Sequence, residues 1–219
     1  VITHVSLAVD KGQIAIMLGP NGHGKSTVLK SICGLVEKVS GVILFEGDTI
    51  TGLGSEKLVG MGITYIAENR ELFPQMSVLE NLKLGAYSRS ARAFEKENLE
   101  KVFDLFPRLR DRRSQLASTM SGGEARMLAI ARGLMSNARF LAMDEPSLGL
   151  QPNLRDEVAR IIKQINDQGI TLLVVEQNIP QITELADTLY VLEEGSISFA
   201  GSKEDALGND HLKEIFLGM

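Results

Sequence analysis

Residues 13–26 read QIAIMLGPNGHGKS, an apolar, strand-like run that turns without a break into a glycine-rich loop ending in lysine and serine. From Gly19 to Ser26 the spacing is the phosphate-loop pattern G-x-x-x-x-G-K-[ST], and a helix is expected from Lys25 to about Leu35. Glycines let such a loop fold tightly, so that successive backbone N–H groups and the helix N-terminus aim at one anion. In this reading Gly19, Pro20, Asn21, Gly22, His23, Gly24, Lys25, Ser26 and Thr27 hold the phosphates of a nucleotide. Lys25 reaches the β- and γ-oxygens, and the Ser26 hydroxyl coordinates Mg2+. His23 occupies a variable position and is expected to offer only its backbone N–H. A chance glycine turn is the competing account, and the strand–loop–helix context argues against it.

A site of this kind needs a second apolar strand that ends in a carboxylate. FLAMDE (140–145) supplies Asp144 and Glu145. Side chains alternate across a strand, so the two are expected to divide the work. Asp144 fits beside Mg2+, and Glu145 fits as the group that polarises an attacking water. The plainer reading of Asp-Glu after a strand is a helix-capping turn.

MSGGEARMLAIARG (120–133) poses a different question, because it has neither a nucleophile–base pair nor a metal-ligand cluster. Ser121, Gly122 and Gly123 stand where a helix begins, and helix N-termini bind anions. Phosphoanhydride hydrolysis depends more on placing and neutralising charge than on covalent chemistry. One nucleotide is already cradled by residues 19–27, so a second cradle is surplus unless it serves the nucleotide of another chain. Ser121 with Glu124 also spells a capping box, and both roles are compatible.

The composition bounds the rest. The 219 residues are 44% hydrophobic and 23% charged, with a net charge of −5, which argues against nucleic acid as an obligate partner. Cys33 is the sole cysteine, so no disulfide can form within the chain and a reducing compartment is expected. No apolar run reaches the roughly 18 residues of a membrane span. A membrane role must then be peripheral. The sequence opens at Val1 in strand-like residues without an initiator Met, and further residues are expected upstream.

Strands are expected over 5–9, 13–18, 41–47, 62–67, 139–145 and 170–176 and within 188–201, with a helix over 153–168 that has Pro152 at its start and Gly169 after its end. Apolar strands alternating with helices imply an α/β fold with a mostly parallel sheet covered on both faces. From Glu68 to Gly133 the periodicity is helical throughout. The expected organisation is one domain, its core formed by residues 1–67 and 134–219, with a helical subdomain at 68–133.

A phosphate loop, then SGGE, then MDEP, in that order, resembles the ATP-binding subunits of ABC transporters, and the likeness covers essentially the whole chain. It implies a P-loop NTPase core with an antiparallel β portion. It also implies ATP and Mg2+ as cofactors, and a second ATPase subunit facing the first head to tail. Ser121, Gly122 and Gly123 then act on the mate's nucleotide, and SLGL (147–150) exchanges contacts across the dimer. AENRELFPQMSVLENLKLGAY, MDEPSLGLQP and LLVVEQN are similar to one of the two ATPase subunits of branched-chain amino acid importers; urea and amide importers share much of this pattern. The same likeness implies two membrane permease subunits, a periplasmic solute-binding protein and a place on the cytoplasmic membrane face. The apolar residues of NRELFPQM (69–76), Leu72, Phe73 and Met76, are the candidate permease contact; packing of the lobe is the alternative.

Three positions depart from the wider pattern. Glu68 replaces the usual glutamine and can approach Mg2+ through water. Gln177 replaces the usual histidine; its amide can position a γ-phosphate but cannot titrate near pH 7, and a capping turn at Asn178 is the plainer reading of EQN. The aromatic residue that stacks adenine in the family is missing, and Tyr65 sits too deep in a strand pattern to replace it. Cys33, His4 and His211 are assigned to no chemistry. A chromosome-organising ATPase would need a long coiled coil, and a translation factor would need two such modules. A non-hydrolysing regulatory subunit stays open because of Glu68 and Gln177, although Glu145 argues against it.

Overall fold

β1 (Ile14–Leu18) is buried at every residue because it lies inside a sheet, paired in parallel with residues 172–176 on one side and 188–191 on the other. The computed structural model describes residues 2–37, 40–177 and 180–208. After β1 the chain enters α1 (Lys25–Ile32), a short hairpin of β2 (Leu44–Phe45) and β3 (Asp48–Thr49), α2 (Ser55–Gly60) and β4 (Ile63–Ile66). The helical stretch holds α3 (Val78–Gly85), α4 (Arg89–Arg92), α5 (Glu95–Leu105), α6 (Pro107–Asp111), a 3-10 turn at Ala117–Thr119 and α7 (Gly122–Leu134). The chain then continues through β5 (Phe140–Asp144), α8 (Pro152–Asp167), β6 (Thr171–Glu176), α9 (Pro180–Thr183), β7 (Thr188–Glu193), β8 (Ser196–Gly201) and α10 (Lys203–Leu207).

The main sheet runs β4–β5–β6–β1–β7–β8, parallel except for the antiparallel β7–β8 edge. Three of its four inner strands, β5, β6 and β1, are buried at every residue, which explains their largely apolar sequences. On one face α1 and α2 pack with Ala15, Met17 and Leu173. On the other, α7 and α8 share a larger core with Ile16, Leu141 and Val174. That larger core runs on into the helical stretch through Val78, Leu82 and Phe103, so one apolar interior holds both regions.

Two expected strands dissolve in the structure. Residues 5–9 alternate in burial as a strand would, with Val5, Leu7 and Val9 packed on the core, yet they join no ladder. The Ala8 backbone bonds the Tyr190 hydroxyl instead, donating through its N–H and accepting at its carbonyl. Within 41–47 only Leu44–Phe45 forms a strand, and its partner is the local turn back through Asp48–Thr49. α1 stops at Ile32, short of the expected Leu35.

Two contacts fix the helical region. α3 and α7 meet backbone to backbone at Gly85, where a Cβ would lie 2.1 Å from the Arg132 carbonyl oxygen and 2.8 Å from the Met135 Cβ. The buried Asn81 pins the preceding loop: its Oδ1 accepts from Phe73 N–H at 2.9 Å, and its Nδ2 donates to the carbonyls of Phe73 and Ser77 at 3.0 Å. A buried amide satisfied this way rigidifies a loop that has no ladder of its own.

Candidate functional site

The phosphate loop, Glu145 and Gln177 leave the carboxyl ends of three adjacent strands, β1, β5 and β6. Crevices at that end of an open parallel sheet are where such folds bind ligands. Here the crevice is a cleft of about 400 Å³ lined by Asn21, Gly22, Gly24, Lys25, Ser26, Thr27, Glu68, Glu145, Leu148 and Gln177. Sequence residues far apart are therefore brought to one place. Ser121, Gly122 and Gly123 do not line it.

Local geometry explains the loop. Gly19 has φ +156°, and a Cβ there would lie 2.2 Å from the Leu192 carbonyl oxygen, so only glycine lets the loop pass β7. Gly24 caps α1 without a side-chain acceptor, which leaves first-turn N–H groups for an anion. His23 does more than expected: its Nδ1 accepts from Glu194 N–H at 3.0 Å and ties the loop to the β7–β8 turn.

Lys25 is buried and donates to the carbonyls of Gly19 (2.7 Å) and Pro20 (3.1 Å), with Glu145 Oε1 at 3.7 Å. Burial lowers its pKa, and the charges of Glu145 and Asp144 oppose that pull. The Asp144 carboxylate accepts from Ser26 Oγ at 2.9 Å and from the Tyr65 hydroxyl at 2.7 Å. Burial, and then the hydrogen bond to Asp144, raise the Tyr65 pKa well above its ordinary value, so the phenol stays a donor. Glu145 accepts at Oε2 from the Gln177 amide at 2.9 Å.

Asp144 and Glu145 divide their partners as expected, but strand alternation is not the reason. Glu145 has φ +45°, a left-handed conformation that ends the alternation and lets both carboxylates act on Lys25. Gln177 meets Glu145 rather than standing free, and its neighbour Asn178 lies outside the described residues.

At the other anion-type feature, α7 begins with a complete capping box. Ser121 Oγ accepts from Glu124 N–H at 3.4 Å, while the Glu124 carboxylate accepts from Ser121 N–H at 2.9 Å. Ser121 and Gly122 are exposed. Of the apolar residues in 69–76, Leu72 packs on the core, whereas Phe73 is 50% exposed beneath the Arg132 guanidinium. Phe73 borders a second, more apolar groove with Leu35, Val59, Leu84 and Tyr87. Cys33 is buried, its thiol pushed up to about 12 by burial, while His4 is exposed and His211 lies outside the described residues.

Four residues make contacts that the sequence reading did not assign to them. Tyr65 supports Asp144. Arg126, buried in α7, donates to the Ala67 carbonyl at 3.3 Å, and its Nε has no hydrogen-bond partner among the described residues. Glu176 and Ser147 are joined behind the cleft. A tyrosine in a strand or an arginine in a helix carries no one-dimensional signature; only the carboxylate in VVE, unusual in a buried strand, offered a hint.

Sequence and structural relatives agree with this geometry. Residues 2–148 match the ABC transporter family. The chain is 42% identical, over 98% of its length and 91% of the relative's, to the high-affinity branched-chain amino acid transport ATP-binding protein BraG of Pseudomonas aeruginosa. It is 32% identical, over its full length and 91% of the relative's, to the lipopolysaccharide export ATP-binding protein LptB of Escherichia coli K12. It superposes on the ADP conformation of MJ1267, an ATP-binding cassette of an ABC transporter, with TM-score 0.81 and 31% identity, covering 98% of this chain and 91% of that one. With its phosphate loop, paired carboxylates and capped SGGE helix, this chain belongs to the ABC transporter family as an ATP-binding, ATP-hydrolysing subunit.

Proposed function

We propose that the chain powers uptake of branched-chain amino acids by closing on a second ATPase subunit around Mg-ATP, and opening again after hydrolysis. The observation that carries this reading is the cleft that gathers Lys25, Ser26, Glu145 and Gln177, while the capped tip of α7 lies outside it with Ser121 and Gly122 exposed and Gly123 buried behind them. A tip that does not line its own site is free to complete another. The substrate class rests on the likeness to a branched-chain transport protein.

Residues 19–27 hold the phosphates, with Lys25 trading its contacts to Gly19 and Pro20 for β- and γ-oxygens. Ser26 Oγ and Asp144 Oδ1, 2.9 Å apart, are oxygen donors that would hold a Mg2+, with Glu68 lining the same cleft. The chemistry supplied there by Mg2+ would be neutralisation of charge on the phosphates. Glu145 orients and polarises the attacking water, and Gln177 positions Glu145 and the γ-phosphate. The mate's Ser121–Gly123 counterpart adds N–H donors from above.

No described helix is long and apolar enough to cross a membrane. The likeness to a branched-chain transport ATP-binding protein supports a place at the cytoplasmic face, against two permease subunits fed by a periplasmic solute-binding protein. The groove at Phe73 is the permease contact. Two measurements test the reading. Glu145→Gln protein, assembled with its mate, should be compacted by Mg-ATP in solution scattering; continued separation refutes the clamp. Crosslinks from Phe73 should reach a permease subunit, and absence of product in every nucleotide state refutes that contact.

A further inference from the structure

Glu176 ends β6 on the core side of the cleft and is only 1% exposed, yet the roles above do not use it. Its Oε1 accepts two hydrogen bonds from one residue: Ser147 N–H at 3.0 Å and Ser147 Oγ–H at 2.7 Å. Ser147 is fully buried and starts the SLGL loop, whose Leu148 and Gly149 project into solvent. Leu148 also lines the cleft. The loop is thus held at its root by a single carboxylate while its tip is exposed. Directly after Glu176 comes Gln177, whose amide holds Glu145, and Glu145 N–H in turn donates to the Val175 carbonyl at 2.9 Å.

We propose that Glu176 is a positioning residue for hydrolysis: its buried carboxylate clamps the SLGL loop to the end of β6, so that the loop tip and the Glu145–Gln177 pair keep one fixed relation, and loss of its charge loosens that relation. The proposal builds on the reading of the chain as a clamping ATPase and adds a regulatory element to it.

The physical chemistry favours a clamp that responds to protons. Burial, opposed by the two Ser147 bonds and reinforced by the Glu145 charge, lifts the Glu176 carboxyl to about 7. Among the described residues the charges that interact with it are Glu145 from the end of β5, Lys25 from α1 and Arg126 from α7, the last two each influenced by the Glu176 charge. An ionised carboxylate accepts hydrogen bonds roughly twice as strongly as a neutral group. The clamp is therefore tight above pH 7 and slack below it.

The test uses Glu176→Gln, which keeps an acceptor oxygen but no charge, and Ser147→Ala, which keeps the N–H donor but loses the hydroxyl. In the full chain, the hydrogen-exchange protection of the Ser147 amide should fall roughly fivefold in Glu176→Gln at pH 8 and little at pH 6. This readout does not depend on hydrolysis, so it stands even if the ATPase reading fails. In the assembled transporter, wild-type kcat should rise several-fold from pH 6 to pH 8. Glu176→Gln should be flat at the acid-limb value, with KM for Mg-ATP within about twofold. Ser147→Ala should lower kcat while keeping the pH response. Unchanged Ser147 protection in Glu176→Gln overturns the clamp, and a wild-type pH profile in that variant overturns its control of turnover. An inactive wild-type assembly counts against the ATPase reading alone.

Discussion

Glu176→Gln should also make the folded protein more stable, and the gain should depend on pH in a calculable way. In the unfolded chain this carboxyl titrates at its ordinary 4.5; in the folded chain it titrates at about 7, chiefly because burial penalises its charge. A group whose pKa rises on folding favours the native state fully below the unfolded value and loses that benefit as pH climbs through the folded one. For Glu176 the window therefore runs from 4.5 to about 7. Across it the wild type gives up on the order of 3 kcal/mol relative to a neutral isostere. Glutamine is that isostere, since it retains the shape and the Oε1 acceptor without an ionisable proton. Urea denaturation at pH 5, 6, 7 and 8 should show the two proteins close together at pH 5 and the variant ahead by roughly 2–3 kcal/mol at pH 8. Parallel stability curves across that range would mean that Glu176 keeps its ordinary pKa in the fold, and the argument from burial would fail.

Three further outcomes follow from named contacts. Gly19→Ala should weaken ATP binding at least about tenfold by equilibrium titration, because its Cβ has no room beside the Leu192 carbonyl; wild-type affinity would refute this. Gly85→Ala should cost about 3 kcal/mol in urea denaturation by forcing α3 from α7, and a loss below 0.5 kcal/mol would show that the helices yield freely. Gln177→Ala should lower turnover roughly tenfold or more, whereas Gln177→His keeps or raises it; a harmless alanine removes Gln177 from the mechanism.

The parts of this fold set by chain-local rules were readable in one dimension. The phosphate loop, the apolar strands β1, β5 and β6, the Ser121 capping box and α8 with Pro152 at its start all follow from spacing and propensity. What depended on tertiary partners was not. Residues 5–9 carry a strand's alternation, but they pair with no described strand, and the Tyr190 hydroxyl takes the Ala8 backbone instead. His23 read as filler because its partner, Glu194 N–H, lies far along the chain. Asp144 and Glu145 were legible as a pair. The left-handed turn at Glu145 and the Tyr65 and Gln177 contacts that aim the two carboxylates are products of the assembled site.

α7 has two functional ends. At its start Ser121 and Gly122 are exposed, and near its last turn Arg132 donates to the carbonyls of Arg70 and Glu71 and lies over Phe73. Between them run 13 helical residues, about 20 Å at 1.5 Å per residue, wedged in the core and braced by Arg126 at Ala67. A segment this well packed moves as a connecting rod and does not bend to absorb a displacement. In the proposed transporter, force from the neighbouring subunit's nucleotide and force from the permease would act on opposite ends of the same bar. Linkage makes their influence mutual: whatever free energy a loaded permease contributes to closing the clamp, closing the clamp must return to the permease state it prefers.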